Sequence, residues 1–429
     1  MAHTSQAMVR IGEETDLYYT DPKNCEKQAI PVEYNTRFRQ DFSNKGTGVS
    51  VFTIPPGNGL RHIVVVLGYN AASINGQLGA QALPRGWGYQ AISQVSFRIG
   101  GSSQYFLSGQ QLLARNMRLC RTKEQRNAIL SLGGNECKVA TDFDTDQYAY
   151  IPISVFSAPS ADGISLPLPS DLLSQQVQIT CQLAPTSAFW TTAITGGGAP
   201  AAVAPPAAFD TAFFRVEQLV MTDRAMSLAS RVDLNTHSYT MPLPDFDQQE
   251  QEIPLAATAA PQSVVLTGFR AGEVKKLQIW LTRDSDETGG GAGAPQNPGK
   301  WYIPESIQAL YAGVVYAQYE AGESAMWNLL DGTAPAAVDY SVLTRPGGGA
   351  AISSEDYLQQ WVELPFAQPT GNDYDGEVLV HGKEITNGIV NLTVSAPAPT
   401  SGTDTYTLHV AYIYNASVSF SRGSADLVF

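Results

Sequence analysis

The sequence predicts an all-β chain made of two similar domains, and three observations lead there. Gly 38 and Pro 26 sit beside Tyr 19 and Phe 16 in a chain of 429 residues. That mixture favours strands joined by turns over long helices. Apolar residues recur with a period of two along most of the chain. Short stretches of the first half also reappear, in order, in the second. A chain of this length exceeds one ordinary core, and its 43% hydrophobic content can fill two.

The first half opens its strands at Gly48 to Thr53, which alternates and meets the turn Pro55-Pro56-Gly57-Asn58-Gly59. Arg61 to Gly68 follows with the run Ile63-Val64-Val65-Val66-Leu67. Val95 to Ile99 alternates before Gly100-Gly101, and Tyr148 to Phe156, Val177 to Leu183 and Phe213 to Met221 complete the half. The second half continues with Ser263 to Gly268, Val274 to Thr282, Ser306 to Tyr311, Leu358 to Phe366, Val390 to Val394 and Tyr406 to Tyr414. Many short strands with turn signals between them argue for sandwiches or barrels. Two helices are expected. Gln110 to Arg121 groups Leu112, Leu113, Met117 and Cys120 near one face, with Arg115, Arg118 and Arg121 off it, and Asp223 to Leu234 follows Thr222 as a connector. Thr195 to Ala208, Thr288 to Pro298 and Gly347-Gly348-Gly349 read as long exposed loops, too poor in bulky apolar residues to order by burial.

The repeat rests on three matches. Gln176-Val177-Gln178-Ile179-Thr180 resembles Ile389-Val390-Asn391-Leu392-Thr393, 213 positions on (177 to 390). The strand ending at Gly101 matches the one ending at Gly313, 212 on (101 to 313), and Ile63 to Leu67 matches Leu277 to Leu281, 214 on (63 to 277). Three matches at nearly one offset imply two copies of one β-domain, with the boundary near 222–236.

Charge and motifs exclude several functions. Lys+Arg 26 against Asp+Glu 40 gives a net charge of −14, which repels a phosphate backbone, so no direct nucleic-acid partner is expected. No run of 18 apolar residues occurs, and Met1 to Glu14 has no apolar core of a secretory signal. Cys25, Cys120, Cys137 and Cys181 are widely spaced, without CxxC, and read as reduced thiols. Asp142-Phe143-Asp144-Thr145-Asp146 imitates a calcium loop, but Gln147 and Ile153 stand where its Gly and bidentate Glu belong, so a solvated acidic loop is expected. Gly299-Lys300 lacks the first Gly (Ala294) and the Ser/Thr (Trp301) of a phosphate loop. His3, His62, His237, His381 and His409 show no metal spacing, and His62 and His409 are expected as sheet residues. Arg115, Arg118, Arg121, Lys123 and Arg126 read first as a solvated helix face, and alternatively as an inter-subunit contact. The sequons at Asn391 and Asn415 are expected to be unused. No catalytic, cofactor-binding or metal-binding residue is assigned, although no motif excludes a paired-carboxylate hydrolase.

At this point the pattern resembles the double jelly-roll major capsid proteins of icosahedral DNA viruses, in the large algal/amoebal virus, virophage and Polinton-like lineage. Asp16-Leu17-Tyr18-Tyr19-Thr20-Asp21-Pro22 is similar to that family's D-x-Y-L-T-G-N-P opening, and Tyr34 to Arg39 to its aromatic/Arg stretch entering the first strand. Val95 to Gly101 resembles V-x-L-x-I-G-G. Tyr150-Ile151-Pro152-Ile153 with Gly163 to Leu168 resembles Y-V-P-L … G-L-A-L-P-L. Val274 to Leu277, Trp280 and the closing Tyr412 to Asn415 belong to the second copy. Asp21 replaces a Gly, and Gln175-Gln176-Val177 replaces a His-containing triplet. The resemblance implies two tandem eight-stranded antiparallel jelly rolls: an arm at 1–28, a first roll at 29–222, a connector at 223–236 and a second roll at 237–429. It further implies a non-enzymatic protein without cofactor that forms homotrimeric, pseudo-hexameric capsomers tiling an icosahedral shell. Partners would be neighbouring capsomers, minor capsid and penton proteins, and an internal membrane reached by the N-terminal arm. The protein would be made in the host cytoplasm or nucleus and reside in the virion. The alternative class is a secreted carbohydrate-binding or adhesin β-sandwich protein.

Overall fold

The computed structural model describes residues 32–55, 57, 59–74, 81–99, 105–120, 123–137, 140–153, 168–192, 205–221, 239–256, 258, 260–267, 273–288, 299–320, 323, 361–366, 369–372, 378–380, 383–384, 390–397, 405–421 and 424–428. The expected arm at 1–28, the connector helix Asp223 to Leu234, Gly163 to Pro167, Gly347 to Gly349 and most of the two long loops lie outside them.

Eight principal strands form the first half: β1 (Val32–Asp41), β2 (Val49–Thr53), β3 (Gly59–Tyr69), β4 (Ile92–Arg98), β5 (Tyr105–Leu107), β6 (Gln147–Pro152), β7 (Gln178–Leu183) and β8 (Thr211–Met221). They pair antiparallel as β1-β8-β3-β6 and β2-β7-β4-β5. Eight more form the second: β9 (Tyr239–Leu255), β10 (Gln262–Leu266), β11 (Glu273–Arg283), β12 (Ser306–Tyr311), β13 (Val314–Glu320), β14 (Val362–Pro365), β15 (Val390–Ser395) and β16 (Tyr406–Ser421). Their sheets run β9-β16-β11-β14 and β10-β15-β12-β13, the same two orders shifted by eight. This is a jelly roll, twice. The three sequence matches fall on β3 with β11, β4 with β12, and β7 with β15.

Alternation explains the sandwich. In β2 the burial runs exposed–buried from Val49 to Thr53, sending Phe52 inward. In β6 it sends Ala149 and Ile151 inward and Tyr148 and Tyr150 outward. Ile63, Val65, Leu67, Ile179 and Phe97 meet them in the first core. Leu277, Ile279, Leu281, Val390, Leu392 and Leu408 form the second. The longest ladder joins β9 to β16 and serves both cores. Leu255, Leu408 and Val410 belong to the second core, whereas Met241, Leu243, Val418 and Phe420 belong to the first.

Between β5 and β6 lie α1 (Gly109–Arg118) and α2 (Lys123–Leu132). The Ser108 side chain caps α1 by accepting the Gln111 N–H at 3.0 Å. Two expectations are corrected here. Helix α1 stops at Arg118, short of Arg121. The basic cluster is no solvated face either: Arg115, Arg118 and Arg126 are 2%, 8% and 7% exposed. For Arg115 and Arg118 the physical reason is that α1 is covered on both sides. Leu112, Leu113 and Met117 enter the first core, and the opposite flank meets the second roll.

Candidate functional site

The feature with the densest chemistry is the seam where α1 meets the outer face of β9-β16-β11-β14. Strand β11 alternates Leu277, Ile279 and Leu281 into its own core, which leaves Gln278, Trp280 and Thr282 facing outward. An ordinary sheet would put polar residues there in water. Here Gln278 and Trp280 are 0% exposed and Thr282 is 3%. Trp280 stacks on Trp301 at 4.8 Å and lies parallel to His409 at 5.3 Å, while Trp361 meets Trp301 edge-on at 6.4 Å.

Polar contacts line the same surface. Arg118 donates from α1 to Gln278 Oε1 at 2.7 Å, a charge-assisted bond from one roll to the other. His409 Nε2 and Thr282 Oγ1 share a hydrogen bond of 2.8 Å. The indole of Trp361 donates to Glu363 at 3.1 Å, and Lys276 pairs with the other Glu363 oxygen at 2.7 Å. On the short helix Asp284–Thr288, Asp286 is fully buried and takes two bonds from Arg283, both 2.9 Å, and one from the Tyr302 hydroxyl at 2.6 Å. Its neighbour Glu287 accepts the Gly299 N–H at 3.2 Å and the side-chain amide Nε2–H of Gln110 of α1 at 3.5 Å. Gly299 has φ 81, where a side chain is strained, and a Cβ there would meet the Gln90 side chain at 2.3 Å. Burial pushes the Glu287 carboxyl up to about 7, with Asp286 and Glu252 adding to the rise and the Gly299 N–H and His409 opposing it.

The remaining sequence candidates are dispersed. Asp146 accepts the Ala71 N–H at 2.8 Å and so caps the helical turn Ala71–Ile74, and Asp144 is exposed. Among the described residues no group of three metal-ligating side chains comes together. His62 is exposed on β3, Asn391 is exposed on β15, and Lys300 lies over the Tyr302 ring at 4.7 Å. Cys120, Cys137 and Cys181 are buried and free, and burial raises all three thiols, the first to about 11. His3, His237, His381, Cys25 and Arg121 lie outside the described residues. Sequence reasoning missed Gln278, Glu287 and Gln110. The readable signal was the run Leu277-Gln278-Ile279-Trp280-Leu281, with Gln278 and Trp280 where a solvated strand carries charge, and the structure buries both of them.

No protein-family model and no curated protein matches the chain. Solved structures do. The chain is similar to a chain of the PBCV-1 virus capsid (TM-score 0.62, 14% identity, covering 94% of this chain and 98% of that one). It is similar to the Faustovirus major capsid protein (0.56, 10%, 98% and 97%) and to the mavirus major capsid protein (0.51, 11%, 96% and 93%). With two complete sets of eight strands in one order and end-to-end coverage of these neighbours, the chain has the double jelly-roll fold found in the capsid proteins of PBCV-1, Faustovirus and mavirus.

Proposed function

We propose that the protein is a major capsid protein whose copies join as trimers, each a ring of six jelly rolls that tiles an icosahedral shell. The observation that carries this reading is a comparison of equivalent faces. In the second roll, Trp280 of β11 is flanked by His409 of β16 and, continuing the β11-β14 register, by Trp361. The first roll covers all three. The matching positions of the first roll are Val66, flanked by Phe213 and Tyr150. Val66 and Phe213 are themselves only 2% and 8% exposed, so the open part of this face is Tyr150, 43% exposed against 3% for Trp361, with Tyr148 beside it at 36%. Arg39 stacks over Phe213 at 4.0 Å.

In this reading the face left open at Tyr148 and Tyr150 in one chain is covered by another. The covering helices of the first roll lie between β5 and β6; in chain order the segment between β13 and β14, outside the described residues, corresponds to them in the second. Repeating the in-chain contact between chains is heterologous, and three copies close it into a ring. Such a protein acts by shape and adhesion and needs no catalytic centre, in keeping with the capsid role of its structural neighbours. The arm at 1–28 would then reach minor proteins or an inner membrane, and the shell would place the protein in the virion.

Light scattering after size exclusion tests the ring. The wild-type chain should elute as a trimer, and Tyr150→Lys as a monomer that still unfolds cooperatively, at a Tm lowered only by the lost association and independent of protein concentration. A trimeric Y150K, or a monomeric wild type, would overturn the assignment of this face. A glycan-binding monomer would support the carbohydrate-binding alternative.

A further inference from the structure

The ring proposed above, on which this inference rests, engages only part of each roll. Inside the chain the first roll presents the flank that carries α1, and the second presents the outer face of β9-β16-β11-β14. Around a closed ring each roll thus gives a flank to one neighbour and one sheet to the other. The opposite sheets, β2-β7-β4-β5 and β10-β15-β12-β13, are left facing outward, toward other rings. Alternation decides what they carry. In the first roll Phe52, Ile179 and Phe97 turn into the core, which leaves Val49 and Val51 of β2 outside at 51% and 50% exposed. In the second, Val264, Leu392 and Ala309 turn inward, and Val265, Asn391, Leu310 and Val315 form one cross-strand row outside. Val265 and Val315 are 49% and 47% exposed.

Charge selects what covers these faces. Among the described residues, the charged side chains outward on the two sheets are Arg98 of β4 and Glu320 of β13, one of each sign. A chain of net charge −14 repels its own copies overall, and these faces, neutral when taken together, let a second copy approach without that penalty. Half-exposed valines gain by leaving water once an apolar surface meets them. We infer that the outer faces of β2-β7-β4-β5 and β10-β15-β12-β13 are where one trimer of this chain docks on the next, with Val49, Val51, Val265 and Val315 as the apolar contacts. Each contact is small, so single trimers stay soluble and an array holds only when many contacts add up. Asn391 stands between Val265 and Leu310 in the register, so a glycan on its sequon would block this docking.

Val51→Lys combined with Val265→Lys tests the docking face in the full-length chain. Both side chains are half exposed on edge strands, so the variant should keep the trimer mass and the cooperative unfolding of the wild type. Light scattering over a concentration series at high ionic strength reads the association of trimers. Wild-type trimers should gain mass with concentration, and the variant should need about tenfold more protein to reach the same mass. Its two lysines also make the chain less acidic, so relief of general repulsion predicts the opposite, stronger association. Should the lysines unfold the chain, Val51→Thr with Val265→Thr removes the apolar contact at the same shape and decides by the same measure. Association equal to or stronger than that of the wild type would overturn the docking face, as would wild-type trimers that keep one mass at every concentration or a folded variant that falls to monomers. A monomeric wild type would remove the ring and this face together, whereas a ring that passes the Tyr150 test beside a normally associating lysine variant would remove the face alone.

Discussion

Single side chains at the seam show how one residue type changes meaning with its surroundings. Trp280 and Val66 hold equivalent places in their sheets, yet Trp280 fills the junction with its full ring and has Trp301 and His409 on its faces. Truncating it leaves a large hole among residues that cannot all collapse into it. Trp280→Ala should cost about 3–5 kcal/mol, measured by the urea midpoint at constant m-value. A loss under about 1 kcal/mol would mean that the seam relaxes freely. The residue level was also where the sequence said least. Arg118 looks like a surface charge because a helix with basic residues off its apolar stripe normally has one wet side. Nothing in the local pattern announces that a second sheet covers that side. Gln278 and Glu287 are likewise ordinary polar residues until the two rolls are brought together.

At the level of elements, most strands were legible and a few were not. The alternation in β2, β7 and β15 reports a face in the core and a face outside, so their positions follow from sequence. Strand β9 did not, since Pro242, Pro244 and Pro254 and an acidic, Gln-rich stretch argue against a strand interior. Its place at the edge of its sheet resolves the conflict: an edge strand has one side without ladder partners, where a missing N–H costs little. Three-residue β5 is too short to show a period. Pairing β9 with β16 has a mechanical result, because both strands contribute to both cores. One roll cannot melt without stripping side chains from the other. Calorimetry should accordingly find one transition for the monomeric chain, with calorimetric and van't Hoff enthalpies in agreement. Two separated peaks would show that the rolls unfold as independent units.

For the whole molecule, the duplicated topology and the charge act in opposite directions. The repeated strand order supplies matching surfaces, while a net charge of −14 per chain makes every copy repel the next. Screening shortens that repulsion to roughly 10 Å at about 0.1 M salt. Assembly of trimers into larger bodies should thus speed up with ionic strength or with added divalent or polycationic partners, followed by light scattering. Equal rates at low and high salt with chelator present would remove charge as a control. The overall architecture was readable early, since a repeat of half the chain survives in three short stretches even where most side chains differ. The shared ladder also sets a schedule for biosynthesis. Val418, Phe420 and Ala425 complete a core whose other walls are translated hundreds of residues sooner. On the ribosome, the amino-terminal half must wait, incomplete, until those late residues emerge, so a nascent or prematurely terminated product lacks the finished surfaces with which to poison a growing particle.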